Sequence, residues 1–301
     1  MASAQKPKRR HHHVWQKYLR AWTIEDAIWC RQGNRVFRTN TPAVAVEKDF
    51  YKLQRLTTHD VELLKHLIPQ HHLFGRDYDV LLRVLMTDFI STSAPDNNKA
   101  MTEWAFTAIE NHHSRIETSF IPSLNEALKG DVGFYDDTEM ALPFLHYLAA
   151  QWMRTKGAKE RAIERCKTYD NVDLSRIWNL LIPHLALVAG INLFKSRKRR
   201  RLVLVCNNHA THPLITSDQP VINLKATLDR PVGDDELTAY YPISASLALL
   251  LLDLDADSPF PAGTLTPAQV SALNNKMFES CHRQAFGLTE RSLNTLRESY
   301  P

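Results

Sequence analysis

The stretch MTEWAFTAIENHHSRIETSFIPSLNEAL, Met101 to Leu128, decides the fold class. Its Met101, Ala105, Ala108, Ile109, Ile116, Phe120, Leu124 and Leu128 recur at three- and four-residue steps and so fall on one helical face. Pro122 predicts a kink in that helix and Gly130 its C-terminal stop. Upstream, Leu63, Leu64, Leu67 and Ile68 make a shorter stripe ended by Pro69, and Val80, Leu81, Val84, Leu85 and Phe89 make another. Downstream, Glu139 to Thr155 carries Leu145, Leu148, Ala149 and Trp152, and Leu174 to Phe194 carries Ile177, Leu181, Leu185 and Val188. About residues 57–194 therefore read as a helical bundle.

The flanks read differently. Trp15, Tyr18, Leu19 and Trp22 predict a short helix. Behind it, residues 27–32 and 35–39 flank Gly33, whose tolerance of positive φ suits the two-residue turn of a β-hairpin. After Arg201 the period shortens, and Leu202 to Cys206, Leu214 to Thr216, Tyr240 to Ile243 and Leu247 to Leu252 predict a small sheet. Thr266 and Pro267, a cap and a first-turn proline, open a last helix. The expected class is α+β, mainly α: a central helical bundle with an N-terminal β-hairpin and a small C-terminal antiparallel sheet. Residues 1–10, basic and nearly without large apolar side chains, read as a flexible arm. Residues 11–301 read as a single α+β domain, its sheet-containing part about 202–287 plus the hairpin at 27–39.

Composition narrows the class of function. A chain that is 44% hydrophobic and 23% charged has enough apolar surface for a core, which disfavours disorder. The net charge of +4 is local in origin. Without Lys6, Lys8, Arg9, Arg10 and the six cations between Lys195 and Arg201, 27 basic residues face 33 acidic ones, a balance of −6. Cys30, Cys166, Cys206 and Cys281 form no CxxC pair, which speaks against a zinc ribbon and a disulfide framework and for a reducing cytosol. The N-terminus lacks the apolar core of a signal peptide, and Ile243 to Leu252 falls short of the ~20 residues that span a bilayer. A cytoplasmic protein without a membrane segment is expected. No GxGxxG, P-loop or GxSxG is present, which disfavours nucleotide hydrolysis and α/β-hydrolase chemistry.

Several side chains can carry chemistry. His11, His12 and His13 beside a basic arm can act as acid and base or ligate a metal, or can stand in solvent at the edge of the helix. His209, His212 and Asp218 have the residue types of a metal site, yet Ser217 and Asp218 ahead of Pro220 equally form a turn. Glu47 near Tyr51 makes a functional pair or a loop anchor. Arg154 and Arg161 would share a face if one helix ran through Gly157, to grip phosphate or to pair with Glu160 and Glu164. Lys195, Arg197, Lys198, Arg199, Arg200 and Arg201 read as a nucleic-acid contact or as a solvated helix end.

His12 to Trp22, followed by the hairpin and by Glu47-Lys48-Asp49-Phe50-Tyr51, resembles the opening of the DUF4238 family. The helix with Gln151, Arg154 and Thr155, the segment Ile215-Thr216-Ser217-Asp218-Gln219-Pro220-Val221 and the strand Tyr241-Pro242-Ile243-Ser244 are similar to later parts of it. The family's proline in the first motif falls at Trp15 or Gln16 here. The resemblance implies a bacterial or phage-linked cytoplasmic protein, supplies no activity, and directs attention to His12, His13, Glu47, Tyr51, Arg154 and Asp218. Two functions follow. One is a phosphodiester-cleaving nuclease or toxin-like effector in phage defence, with His12 or His13 as acid and base, Glu47 and Asp218 as orienting carboxylates or ligands of a divalent metal ion, and Arg154 on phosphate. The other is a non-catalytic module that binds RNA, DNA or a protein partner. Oligomeric state is left open.

Overall fold

The computed structural model describes residues 9–68, 99–167, 172–226, 237–257, 260 and 263–296. The expected helix at 80–89 and the first eight residues of the expected arm lie outside these. The chain is α+β and mainly helical.

Strand β1 (Arg10–His12) pairs antiparallel with β5 (Val46–Lys48), so Arg10, expected in the mobile arm, is ordered strand. Arg9 is fixed as well, with its Nε donating to Asp49 Oδ1 at 2.8 Å. The arm thus ends earlier than its charge suggested, because strand pairing and an ion pair offset the entropy of ordering it. A short helix α1 (Gln16–Leu19) follows, continued as a 3-10 turn to Trp22. The hairpin forms as expected from β3 (Ala27–Gln32) and β4 (Arg35–Asn40), with Gly33 at φ 56° in its turn. Beside it runs β2 (Thr23–Ile24).

Among the described residues the bundle holds α2 (Thr58–Leu67), α3 (Lys99–Leu128), α4 (Thr138–Met153), α5 (Lys156–Cys166) and α6 (Leu174–Lys195). A capping box between Thr57 and Asp60 starts α2, and Asp137 caps α4 through the amides of Glu139 and Met140. One helix running on through Gly157 would put Arg154 and Arg161 on a shared face, but the chain breaks after Met153. Thr155 leaves the helical region, at φ −72° and ψ 155°, and its hydroxyl accepts the Ala158 amide as the cap of α5. Arg154 and Arg161 therefore sit on separate elements. At 22 residues, α6 is long and apolar enough to cross a bilayer, which the comparison with Ile243 to Leu252 had missed, and half of its most apolar window is buried inside the protein. It lies so close to α4 that a Cβ on Gly190 would fall 2.7 Å from the His146 Cα.

The expected small C-terminal antiparallel sheet forms from β6 (Arg200–Cys206), β10 (Leu247–Asp253), β9 (Thr238–Pro242) and β8 (Ile222–Asn223), in that order. The strand β7 (Thr216–Ser217) joins the hairpin sheet instead, in the order β2-β3-β11-β7, through β11 (Gln284–Gly287). Between them runs α7 (Pro267–Ser280), opened by the expected Thr266 cap, and α8 (Glu290–Asn294) follows β11. Aromatic side chains join helices to sheet: Tyr18 of α1 stacks on Tyr241 of β9 at 5.1 Å, and Tyr147 of α4, stacked on Phe120 of α3 at 3.9 Å, packs on Tyr241 at 6.1 Å. Their polar ends are satisfied, Tyr18 by Thr216 at 2.6 Å and the Trp22 indole by the Leu214 carbonyl at 2.8 Å.

Candidate functional site

Alternation along β1 turns His11 inward and leaves His12 half-buried. His11 is held as structure: its Nδ1 accepts the Tyr51 amide at 2.9 Å and its ring stacks on the tyrosine at 5.5 Å. His12 is engaged too, with Nε2 2.9 Å from Gln16 Nε2, and burial pulls it down to about 4. His13 differs. Its backbone is fixed by hydrogen bonds to Ala45 (3.0 Å) and from Gln151 (3.1 Å), and its ring lies against Phe50 at 5.5 Å. Yet its buried Nδ1 has no hydrogen-bond partner among the described residues. Burial, with the positive charges of Arg154 and Lys156 beside it, pulls the imidazole down to about 3.

Arg154, just past the end of α4, is the hub of this region. Buried to 2% exposure, it pairs with Glu117 of α3 at 2.7 Å and donates to Gln151 Oε1 at 2.6 Å. Burial opposes its charge, but the Glu117 carboxylate outweighs that and holds the guanidinium above its ordinary pKa. Its charge in turn helps keep His12, His13, His112 and His113 neutral, after burial, the main cause. His112 and His113 come from α3 and His146 from α4. Their rings form a row, with His146 to His112 at 6.5 Å, His112 to His113 at 5.8 Å and His113 to Tyr51 at 4.8 Å. Each of these three histidines carries a buried nitrogen without a partner among the described residues, as His13 does. Sequence reasoning passed over them and over Glu117. The readable signal was a His-His pair set between Ile109 and Ile116 of the apolar stripe.

The other expected carboxylates are spoken for. Asp218 is 3% exposed; its Oδ1 accepts the His282 amide at 2.8 Å, and its Oδ2 accepts those of Arg283 and Gln284 at 2.8 and 3.1 Å. Burial raises its pKa and these three amides pull it back. It fastens β7 to the chain entering β11, a long-range anchor, whereas the local turn ahead of Pro220 is made by Ser217, whose hydroxyl oxygen accepts the Gln219 amide at 3.1 Å. Glu47 pairs with Lys156 at the start of α5. From there a polar seam runs through Glu160, which meets His282 Nε2 at 3.0 Å, while Arg161 donates to Gln219 at 2.6 Å. His12, His13 and Arg154 thus meet at one end of the seam, and Asp218 and Arg161 stand at the other.

No three His, Cys, Asp or Glu side chains among the described residues are placed to hold a metal ion. His209 and His212 sit in a turn closed by His212 N–H to the His209 carbonyl at 2.9 Å. The basic run lies apart and is divided among three elements, the end of α6, a 3-10 turn and β6. Arg197 stacks on Phe194 at 4.1 Å, Arg200 pairs with Asp253 at 3.3 Å and Arg201 bonds the Ala256 carbonyl at 2.7 Å. Lys195, Lys198 and Arg199 are exposed.

A family model described as a protein of unknown function (DUF4238) matches residues 10–291. No curated protein and no solved structure matches the chain.

Proposed function

Because the chain belongs to DUF4238, a family whose description assigns no activity, we propose from the site alone that it is a phosphodiester hydrolase in which His13 is the general base. The observation that carries this reading is the His13 Nδ1, buried and without a partner among the described residues, beside a fixed cation. An unsatisfied buried nitrogen costs about 1–3 kcal/mol, so a leucine or phenylalanine would serve packing better. In the neutral tautomer with its proton on Nε2, the imidazole has an Nδ1 lone pair fit to take a proton from a water or hydroxyl attacking phosphorus. Arg154 acts as a positioning residue: it keeps the imidazole neutral, and Gln151, which it holds, fixes the His13 backbone. The cations of α5, Lys156, Lys159 and Arg161, supply positive potential for the substrate's phosphate.

The test is incubation of the purified chain with labelled single-stranded RNA, single-stranded DNA and duplex DNA, each with magnesium and with EDTA. Cleavage that falls about 100-fold or more in His13→Gln, at an unchanged melting temperature, is expected. Equal cleavage by the variant, or none by the wild type on any strand, overturns the reading. The outward Lys195, Lys198 and Arg199 favour a second reading, non-catalytic binding of nucleic acid, in which strands are retained but never cut.

A further inference from the structure

His13 is shut in: only 4% of it is exposed, and its Nδ1 is buried. A base for an incoming phosphodiester has to be uncovered, so what covers it decides when it can act. The first turn of α5 lies there. Lys159 sits over the Phe50 ring at 4.9 Å, and Phe50 lies against His13 at 5.5 Å. Lys156, three residues earlier on the same helical face, brings its charge beside the imidazole.

The two halves of α5 are held in different ways. Ala162, Ile163 and Cys166 pack against the apolar cluster that includes Leu174, Ile177 and Leu181 of α6. The first half is tied by polar contacts instead. Lys156 pairs with Glu47 of β5, Glu160 reaches His282 at 3.0 Å and Arg283 at 3.8 Å, and Arg161 donates to Gln219 at 2.6 Å. Upstream, Glu117 fixes Arg154, so the chain turns into α5 at Thr155, which is extended at ψ 155°. Partly exposed ion pairs are weak and are screened by salt, whereas apolar packing is not. Glu47 also gives Lys156 the kind of charged oxygen that a phosphodiester would give it.

We propose that the first turn of α5 is a lid over His13, that Glu47 latches it by occupying Lys156, and that a substrate phosphate opens it by taking the place of Glu47. The lid regulates the site described above and rests on the hydrolase reading for its catalytic meaning, while closure is measured without cleavage.

Labelling of the full chain with diethyl pyrocarbonate near neutral pH, each histidine followed by mass spectrometry of its peptide, tests the lid. In Glu47→Gln, His13 is expected to label about fivefold faster than in the wild type, the effect of losing one partly exposed ion pair. Buried His113 should keep its slow rate and exposed His66 its fast one. Glu160→Gln, which releases the other tie, is expected to act in the same direction. Glu164→Gln removes the same charge from the last turns of α5 and should leave His13 unchanged. Unaltered His13 labelling in both Glu47→Gln and Glu160→Gln, or a rise at His113 that matches the rise at His13, overturns the lid. Fluorescence anisotropy with a cleavage-resistant phosphorothioate single strand tests the exchange: affinity about fivefold higher in Glu47→Gln than in Glu164→Gln is expected. Equal affinity in these two variants, or binding by neither, overturns the exchange. Cleavage with unchanged labelling refutes the lid alone, and faster labelling without cleavage on any strand refutes the hydrolase reading alone.

Discussion

A proton placed on His13 meets Arg154 and Lys156 and no carboxylate that is not already paired. Its folded pKa of about 3 lies below the ordinary 6.5, so between those values the unfolded chain binds the extra proton and stability falls as pH is lowered. By about pH 5 this single residue costs on the order of 2 kcal/mol, and His113, also buried and held low, acts in the same direction. Thermal midpoints recorded from pH 7.5 to 5 should therefore drop steeply, and His13→Gln should flatten the drop; parallel curves for the two proteins would show that the imidazole is not excluded from solvent. Cleavage by the wild type should hold its rate down to about pH 5, since a base with so low a pKa stays unprotonated there. Asp218 makes the opposite kind of prediction. Asp218→Asn leaves one oxygen for three backbone amides and turns a donor toward them, so a loss of roughly 2–4 kcal/mol in urea denaturation is expected; an unaltered midpoint would refute the anchoring role. The sequence marked both residues from their types, but it could not tell base from anchor, because that difference lies in which backbone amides the fold brings near.

At the level of elements, close approach between helices decides what substitution is tolerated. Gly190→Ala should improve helix propensity by about 1 kcal/mol and still destabilise by about 1–3 kcal/mol, because the new methyl meets the backbone of α4 at His146. Gly157→Ala should cost a similar amount, with Gln219 Oε1 and the His282 Cβ, 2.8 Å away, in its path. Denaturation midpoints above that of the wild type would contradict both. The helices α3, α4 and α6 were legible because many apolar residues repeat at helical spacing in each. The gap between α4 and α5 was not, since Arg154-Thr155-Lys156 contains neither proline nor glycine and its only signal is a threonine cap. The strands β7 and β11, two and four residues long, are too short for alternation to register, and so the sequence placed Leu214 to Thr216 in the C-terminal sheet although β7 joins the hairpin sheet.

Over the whole molecule, charge that is dense in sequence is thinned in space. Six cations in seven residues suggested a concentrated contact, but folding ties Arg197, Arg200 and Arg201 to Phe194, Asp253 and Ala256. If the surface binds duplex DNA, replacing Lys195, Lys198 and Arg199 with glutamine should flatten the log-log salt dependence by about two to three units, whereas neutralising Arg200 and Arg201 should mainly lower stability. Equal salt slopes in wild type and the outward triple variant would remove this run from any binding surface. Fold class was readable from periodicity because it depends on local repetition; the meeting of His13, His113, Arg154 and Glu117 was not, because it depends on how two helices and a strand cross. The hairpin sheet adds a consequence in time. Its strand β3 receives its inner neighbour β11 only when residue 284 has been made. At usual elongation rates the ribosome needs about 12–50 s to travel from one to the other. Throughout that interval β3 presents an open edge to the cell, and no shortened product of translation stopping before β11 can close the sheet.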